Sequence, residues 1–305
     1  MKKPTLKQLL PILKFSKKCT RPLLAFSGLV KDNSLLISDF ETSLEIKNVD
    51  LKNGLHNIET INLMNSSINN DSVNEYPLIA FESSKNVLNV SLKELISLMV
   101  FVSKDETRLF LNGVAWIKNE LCATNGHVMK VITGKSENEN DSILPATSIK
   151  VLIRLMKKYK MNSIDLMVSD EYFTAINENF NFRGRLIQRD YPKYTAVIPV
   201  KTSKKIEITE KIDFKELKPA LNKNTFVSNL VIEKKEVFLV VPLTEIKIKV
   251  GKTSHKKLDP IGFNLKYLCE ILENSDNNIL EFNNSLSAFI VNNNNGCSII
   301  MPMKI

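Results

Sequence analysis

Three times along this chain a capping residue precedes the same alternation of apolar and polar positions: Thr5-Leu6-Lys7-Gln8-Leu9, Ser91-Leu92-Lys93-Glu94-Leu95 and Asp213-Phe214-Lys215-Glu216-Leu217. The side-chain oxygens of Thr, Ser and Asp accept the unpaired N–H groups at the start of a helix, and the apolar residues behind them recur at helical spacing. One helix opening repeated at long intervals predicts several copies of one small domain, each burying its helix against its own strands.

The middle copy is the most readable. A helix over Leu92 to Val102 is followed by an apolar-rich run, Leu109 to Ile117, which suits a buried strand. Shorter strands over Leu121 to Thr124 and Val128 to Thr133 are joined by a tight Asn125-Gly126 turn, where glycine supplies positive φ at little cost. A second helix, Ile149 to Lys160, precedes a meander of three strands at Ile164 to Val168, Tyr172 to Ile176 and Phe180 to Ile187. The third copy keeps this order. Its helix Phe214 to Leu221 leads to strands near Phe226 to Ile232, Val237 to Val241 and Glu245 to Val250. Gly262-Phe263-Asn264 then caps a helix Leu265 to Glu273, and strands near Ile279 to Phe282, Ser287 to Val291 and Cys297 to Met301 follow. Two helices on one antiparallel sheet make each copy an α+β domain, with expected limits 1–86, 87–206 and 207–305.

The first copy is abbreviated. Ser91 lies 100 residues before Tyr191-Pro192, whereas Thr5 lies only 71 before Tyr76-Pro77. A second helix over Thr60 to Ser67 would run into the polar stretch Asn69 to Glu75, leaving no room for a three-stranded meander.

With 43% hydrophobic and 25% charged residues the composition is that of an ordinary soluble protein, and no apolar run approaches the ~20 residues of a membrane span. No apolar stretch with a small-residue cleavage site follows the N-terminal lysines, so a cytoplasmic protein without membrane association is expected. Cys19, Cys122, Cys269 and Cys297 form no CxxC pair, which argues against a zinc site or a disulfide framework. The net charge of +9 fits a polyanionic partner, although an AT-biased codon supply also enriches lysine. Placement is more telling. Lys150, Arg154, Lys157 and Lys158 form one stripe of the middle copy's second helix, opposite Ile149, Leu152, Ile153 and Met156. Such a stripe also describes a solvated helix face. Basic residues nonetheless recur at Lys7, Lys14, Lys17 and Lys18 in the first copy and at Lys215, Lys218 and Lys223 in the third, which points to a shared phosphate-facing surface that grips without reading sequence.

Five strings carry a family resemblance: Asp105-Glu106-Thr107-Arg108-Leu109-Phe110-Leu111-Asn112-Gly113; Ala123-Thr124-Asn125-Gly126-His127; Arg189-Asp190-Tyr191-Pro192-Lys193-Tyr194 with Val197 and Pro199; Gly262-Phe263-Asn264; and Met301-Pro302-Met303-Lys304-Ile305. In this order and near this spacing the chain resembles the bacterial DNA polymerase III beta subunit, the sliding clamp, over roughly residues 88 to 305. The first copy is similar around Arg21-Pro22-Leu23 and Ser38-Asp39-Phe40-Glu41-Thr42-Ser43-Leu44-Glu45.

The resemblance implies a DNA clamp fold of three repeated domains, the first shortened, closing as a homodimeric ring around double-stranded DNA. DNA-facing residues would be Lys14, Lys17, Lys18, Arg21, Lys150, Arg154, Lys157, Lys158, Lys215 and Lys218. It also implies a pocket for short linear peptides of the DNA polymerase and the clamp loader. That pocket would be lined by Leu111, Thr124, Gly126, His127, Met129, Pro192, Val197, Asn264, Tyr267, Ile299, Met301, Pro302 and Met303. Leu111, Val197 and Ile299 also read as plain strand core, while methionines suit a groove that repacks around different side chains. Asn125 and Val128 replace the family's usual aspartate and arginine, which implies a less charged rim.

No catalytic residues, metal or cofactor are expected. The chain lacks GxxxxGK[ST] and GxGxxG, and His56, His127 and His255 have no ligand spacing. Asp105 and Glu106, adjacent on an extended segment, would point to opposite sides. The alternative to a ring is a clamp-derived peptide-binding protein that recruits or competes for replication proteins without encircling DNA.

Overall fold

The computed structural model describes residues 5–21, 24–25, 27–58, 74–77, 79–84, 86–223, 226–256 and 258–304, and for Lys18 and residues 135–140 the backbone alone. The chain forms two compact units, Met1–Leu121 with Gly134–Tyr191, and Cys122–Thr133 with Pro192–Ile305.

The three helix openings all form. Thr5 begins α1 (Leu6–Leu13), and its N–H donates to Gln8 Oε1 at 2.9 Å. Ser91 and Glu94 cap α2 (Leu92–Met99) reciprocally, with Glu94 N–H donating to Ser91 Oγ at 3.1 Å and Ser91 N–H to Glu94 Oε2 at 2.8 Å. Asp213 Oδ1 accepts from the N–H groups of Lys215 and Glu216 at the start of α4 (Phe214–Leu217). Between these openings lies α3 (Ala146–Lys158), and α5 (Leu265–Glu273) follows them.

In the first unit, eight strands form one antiparallel sheet. In spatial order they are β4 (Gly54–Asn57), β1 (Ser27–Lys31), β2 (Ser34–Ser38), β3 (Thr42–Lys47), β10 (Phe180–Arg185), β9 (Tyr172–Ile176), β8 (Ser163–Val168) and β5 (Asn86–Ser91). The first copy joins the middle copy through β3 and β10, where Leu44 faces Phe182 and Ile46 faces Phe180. Helices α1 and α2 pack on α3, which lies over β10. Phe173, Phe180 and Phe182 are fully buried there, each contributing about 1.5–3 kcal/mol of burial. Tyr76 returns the chain to the first copy's core with Leu24, Leu29 and Leu55, and its buried hydroxyl donates to Leu36 O at 3.2 Å.

The second unit holds β15 (Ile261–Asn264), β12 (Val227–Glu233), β13 (Glu236–Val240), β14 (Lys247–Thr253), β11 (Lys204–Ile208), β16 (Ile279–Phe282), β17 (Phe289–Asn293) and β18 (Gly296–Ile300), side by side in that order. Beyond β18 come β7 (Val128–Pro145) and β6 (Gly113–Thr124), whose ends at the 125–127 turn belong to this unit. Helix α5 packs on β18 and β15, and Phe289 packs edge-on to Phe263 and stacked on Phe282 in the core.

Several expected elements shift. Leu109 to Leu111 is a 3-10 turn with Leu109 half exposed, and the strand starts only at Gly113, where any Cβ would stand 2.5 Å from Leu144 O. The expected short strands at 121–124 and 128–133 are the ends of the longer β6 and β7. The α-helical part of the third opening stops at Leu217 and tightens into a 3-10 turn over Lys218–Ala220, where Pro219 has no N–H for an α-helical bond. Lys14 to Lys18 likewise continue α1 as a 3-10 turn. The expected helix at Thr60 to Ser67, most of the polar stretch after it and the Pro22-Leu23 pair lie outside the described residues. Among the described residues no helix is long and apolar enough to cross a membrane.

Candidate functional site

The turn between β6 and β7 is built by its own side chains. Thr124 Oγ1 donates to Val128 O at 2.7 Å and accepts from Gly126 N–H at 3.0 Å. Asn125 Oδ1 accepts from the N–H groups of His127 and Val128 at 2.9 and 3.1 Å. Gly126 has φ +91°, a left-handed conformation that glycine adopts without a Cβ penalty. The side chain of Asn125 is thus spent on the turn. Val128 is buried and opposite Ile300, so it belongs to the core and not to a rim.

This turn presents His127 to solvent, and its ring stacks on Tyr267, with centroids 6.1 Å apart and planes 17° from parallel. Tyr267 lies in the first turn of α5, and its N–H donates to the cap Asn264 Oδ1 at 3.2 Å. The C-terminal segment closes the arrangement through its backbone. Met301 N–H donates to His127 O at 2.9 Å, and Met303 N–H donates to Gly262 O at 2.8 Å. Its side chains are left for contact: Met301 is 38% exposed, and Pro302 and Met303 are half-buried.

The second unit therefore brings together Thr124, Gly126, His127, Asn264, Tyr267, Met301, Pro302 and Met303. Met129 and Ile299 face each other across β7 and β18 and are buried, as strand core is. Pro192 and Val197 are exposed on the segment ending in the 3-10 turn Tyr194–Val197. Leu111, in the other unit, is buried at the end of its own 3-10 turn. Burial pushes the Cys269 thiol on α5 up to about 12. The assembled surface offers aromatic and thioether contacts, which suit binding of apolar side chains.

The basic residues divide between the units. In the first, Lys150, Arg154, Lys157 and Lys158 are exposed on α3 while Ile149, Leu152, Ile153 and Met156 are buried. Lys7, on α1 packed against α3, is exposed, as are Lys14 and Lys17 on the turn that follows. Arg21 is exposed with its guanidinium 4.6 Å above the Phe40 ring, a cation–π contact. In the second unit Lys215 and Lys218 are exposed on α4 and the turn after it. Lys130 escaped the sequence reading; it is buried in β7, and its ammonium donates to Asn274 O at the C-terminus of α5.

Comparison with known proteins finds similarity to one family. Residues 86–193 match the family model of the DNA polymerase III beta subunit, central domain. The chain is 28% identical to the beta sliding clamp of Rickettsia felis over 306 aligned residues, covering 90% of this chain and 78% of that one. It is 28% identical to the beta sliding clamp of Staphylococcus aureus over 260 residues, covering 75% and 67%. The crystal structure of the DNA polymerase III beta subunit from Thermotoga maritima superimposes with a TM-score of 0.79 at 20% identity, covering 98% of this chain and 97% of that one.

Proposed function

Since this chain belongs to the DNA polymerase III beta subunit family, we propose that it is a sliding clamp, which closes as a dimeric ring around duplex DNA and tethers the replicative polymerase through short peptides. Its three repeats would divide at 1–86, 87–206 and 207–305. The protein performs no chemistry of its own; it raises the effective concentration of polymerase at the primer end.

What supports this reading is the sorting of charge. On the sheet of the second unit lysines face glutamates: Lys205 with Glu281 at 3.0 Å, Lys247 with Glu233 at 2.7 Å, Lys252 with Glu207 at 3.2 Å, and Lys249 with Glu236. Among the described residues Lys150, Arg154, Lys157 and Lys158 on α3 enter no ion pair. Cations left uncompensated along a helix are suited to phosphates, and sequence-blind, salt-sensitive contacts permit sliding.

The deciding experiment is retention on DNA. Loaded by its matched loader, the protein is expected to stay on nicked circular DNA at salt that strips ordinary phosphate contacts, and to run off once the circle is linearised. Equal loss from circle and line, with peptide binding intact, would instead favour a peptide-binding protein that does not encircle DNA.

A further inference from the structure

Lys130 is the one charged residue in a strand segment that is otherwise apolar, Val128-Met129-Lys130-Val131-Ile132, and all five are buried. A buried ammonium is costly unless charge and hydrogen bonds compensate it. Here the compensation is a helix end. The Nζ group donates to Asn274 O, where the partial negative charge of the α5 dipole collects. The same helix end is closed by side chains: Asn274 Nδ2 donates to Glu270 O at 2.8 Å and Ser275 Oγ to Ile271 O at 2.7 Å.

The spacing gives this contact a second meaning. His127 closes the turn that leads into β7, and Lys130 lies three residues on, within the strand. Tyr267 lies in the first turn of α5, and Asn274 is the residue that ends it. The helix is therefore held near both ends by residues of one short segment, by the His127–Tyr267 stack near its start and by Lys130 at its end. With both ties in place, α5 cannot shift along its own axis without disturbing one of them.

We propose that Lys130 is a positioning residue of the peptide groove: its ammonium fixes the axial register of α5 and so holds Tyr267 against His127. This inference rests on the peptide-groove reading of the site.

The test compares K130M and K130R in the full-length protein. A ring stacked on tyrosine has a ring-current-shifted resonance, so the His127 ring protons are followed by NMR in the free protein, together with the affinity for a polymerase-derived clamp peptide and thermal melting. K130M is expected to move the His127 resonances and weaken the peptide by about tenfold or more, since a binding site is sensitive to sub-ångström placement. K130R, which keeps a charged donor, is expected to restore both. Unshifted His127 resonances in folded K130M overturn the proposal, even if melting falls. Should K130M not fold, K130Q serves, its uncharged amide being shorter by one atom; unshifted His127 resonances there overturn it equally. Failure of the wild-type protein to bind the peptide would instead strike the groove reading, and the resonance comparison would still decide the role of Lys130.

Discussion

The hydroxyls of Thr42 and Ser148 lie 2.7 Å apart, both buried, and join β3 of the first copy to α3 of the middle copy across 106 residues of sequence. Each hydroxyl satisfies the other where water does not reach. Truncating one strands its partner, so S148A is expected to cost about 1–2 kcal/mol in urea denaturation, and T42V a similar amount. Removing both leaves no orphan, and the double variant is expected to be less destabilised than the two costs combined. Simple additivity would show that the two groups do not depend on one another.

The exposed stripe on α3 predicts a separation of folding from DNA retention. K150E/R154E/K157E reverses three charges on the face opposite the buried Ile149, Leu152 and Met156. Melting is expected to change little, since substitutions at exposed positions usually shift stability by within about 0.5 kcal/mol. Loading onto circular DNA is expected to fall, most visibly at low salt, where phosphate contacts are strongest. Wild-type loading by a folded triple variant would remove α3 from the DNA-facing surface.

The parts of this architecture visible in the sequence were those whose cause is local. A cap followed by a helical apolar pattern needs only a few consecutive residues, and all three openings formed, with the α3 stripe exposed as its spacing required. Turns without glycine were harder to see. Asp32-Asn33 and Lys234-Lys235 each take positive φ at both positions and close two-residue hairpins, β1 to β2 and β12 to β13. Leu109 to Leu111 read as strand because its composition is apolar, yet Asp105 gathers the preceding loop and the chain turns before Gly113. His127 and the terminal segment stand in recognisable motifs, and the structure joins them through Met301 N–H to His127 O. Lys130 was not recognisable, because its partner is a backbone carbonyl 144 residues away and a lone lysine in a strand reads as solvent-facing.

That Asp105 loop carries a pH signature. The hydroxyl and N–H of Thr107 donate to Asp105 Oδ1 at 2.7 and 2.9 Å, and Arg108 Nε donates to Oδ2 at 2.8 Å. With the Thr107 bonds foremost, these hold the carboxyl at about 2, below its ordinary 3.8. A depressed folded-state pKa stabilises the folded form above the unfolded value, and that contribution is lost as pH falls from 3.8 through about 2. Carboxyl carbon NMR is expected to place the Asp105 titration well below the other exposed aspartates, and T107A to move it upward. A native Asp105 that titrates at 3.8 would show that the loop does not hold these bonds in solution.

The C-terminal segment predicts a division between backbone and side chains. Its backbone is committed, through Met301 N–H to His127 O and Met303 N–H to Gly262 O, so deleting residues 301–305 would remove structure along with any binding surface. Side-chain truncation is the cleaner probe. M301A and M303A keep both backbone bonds and remove only partly exposed thioether surface. An anchor in an interface is typically worth about 2 kcal/mol or more on truncation, so each variant is expected to weaken a polymerase-derived clamp peptide by about thirtyfold in a calorimetric titration. Melting is expected to move little, because neither side chain is fully buried in the free protein. Retention on circular DNA without polymerase is expected to persist, since the basic residues of α3 are untouched. Unchanged peptide affinity in both variants would take the methionines out of the groove and leave the tail as a strap that only holds β15 to the 125–127 turn.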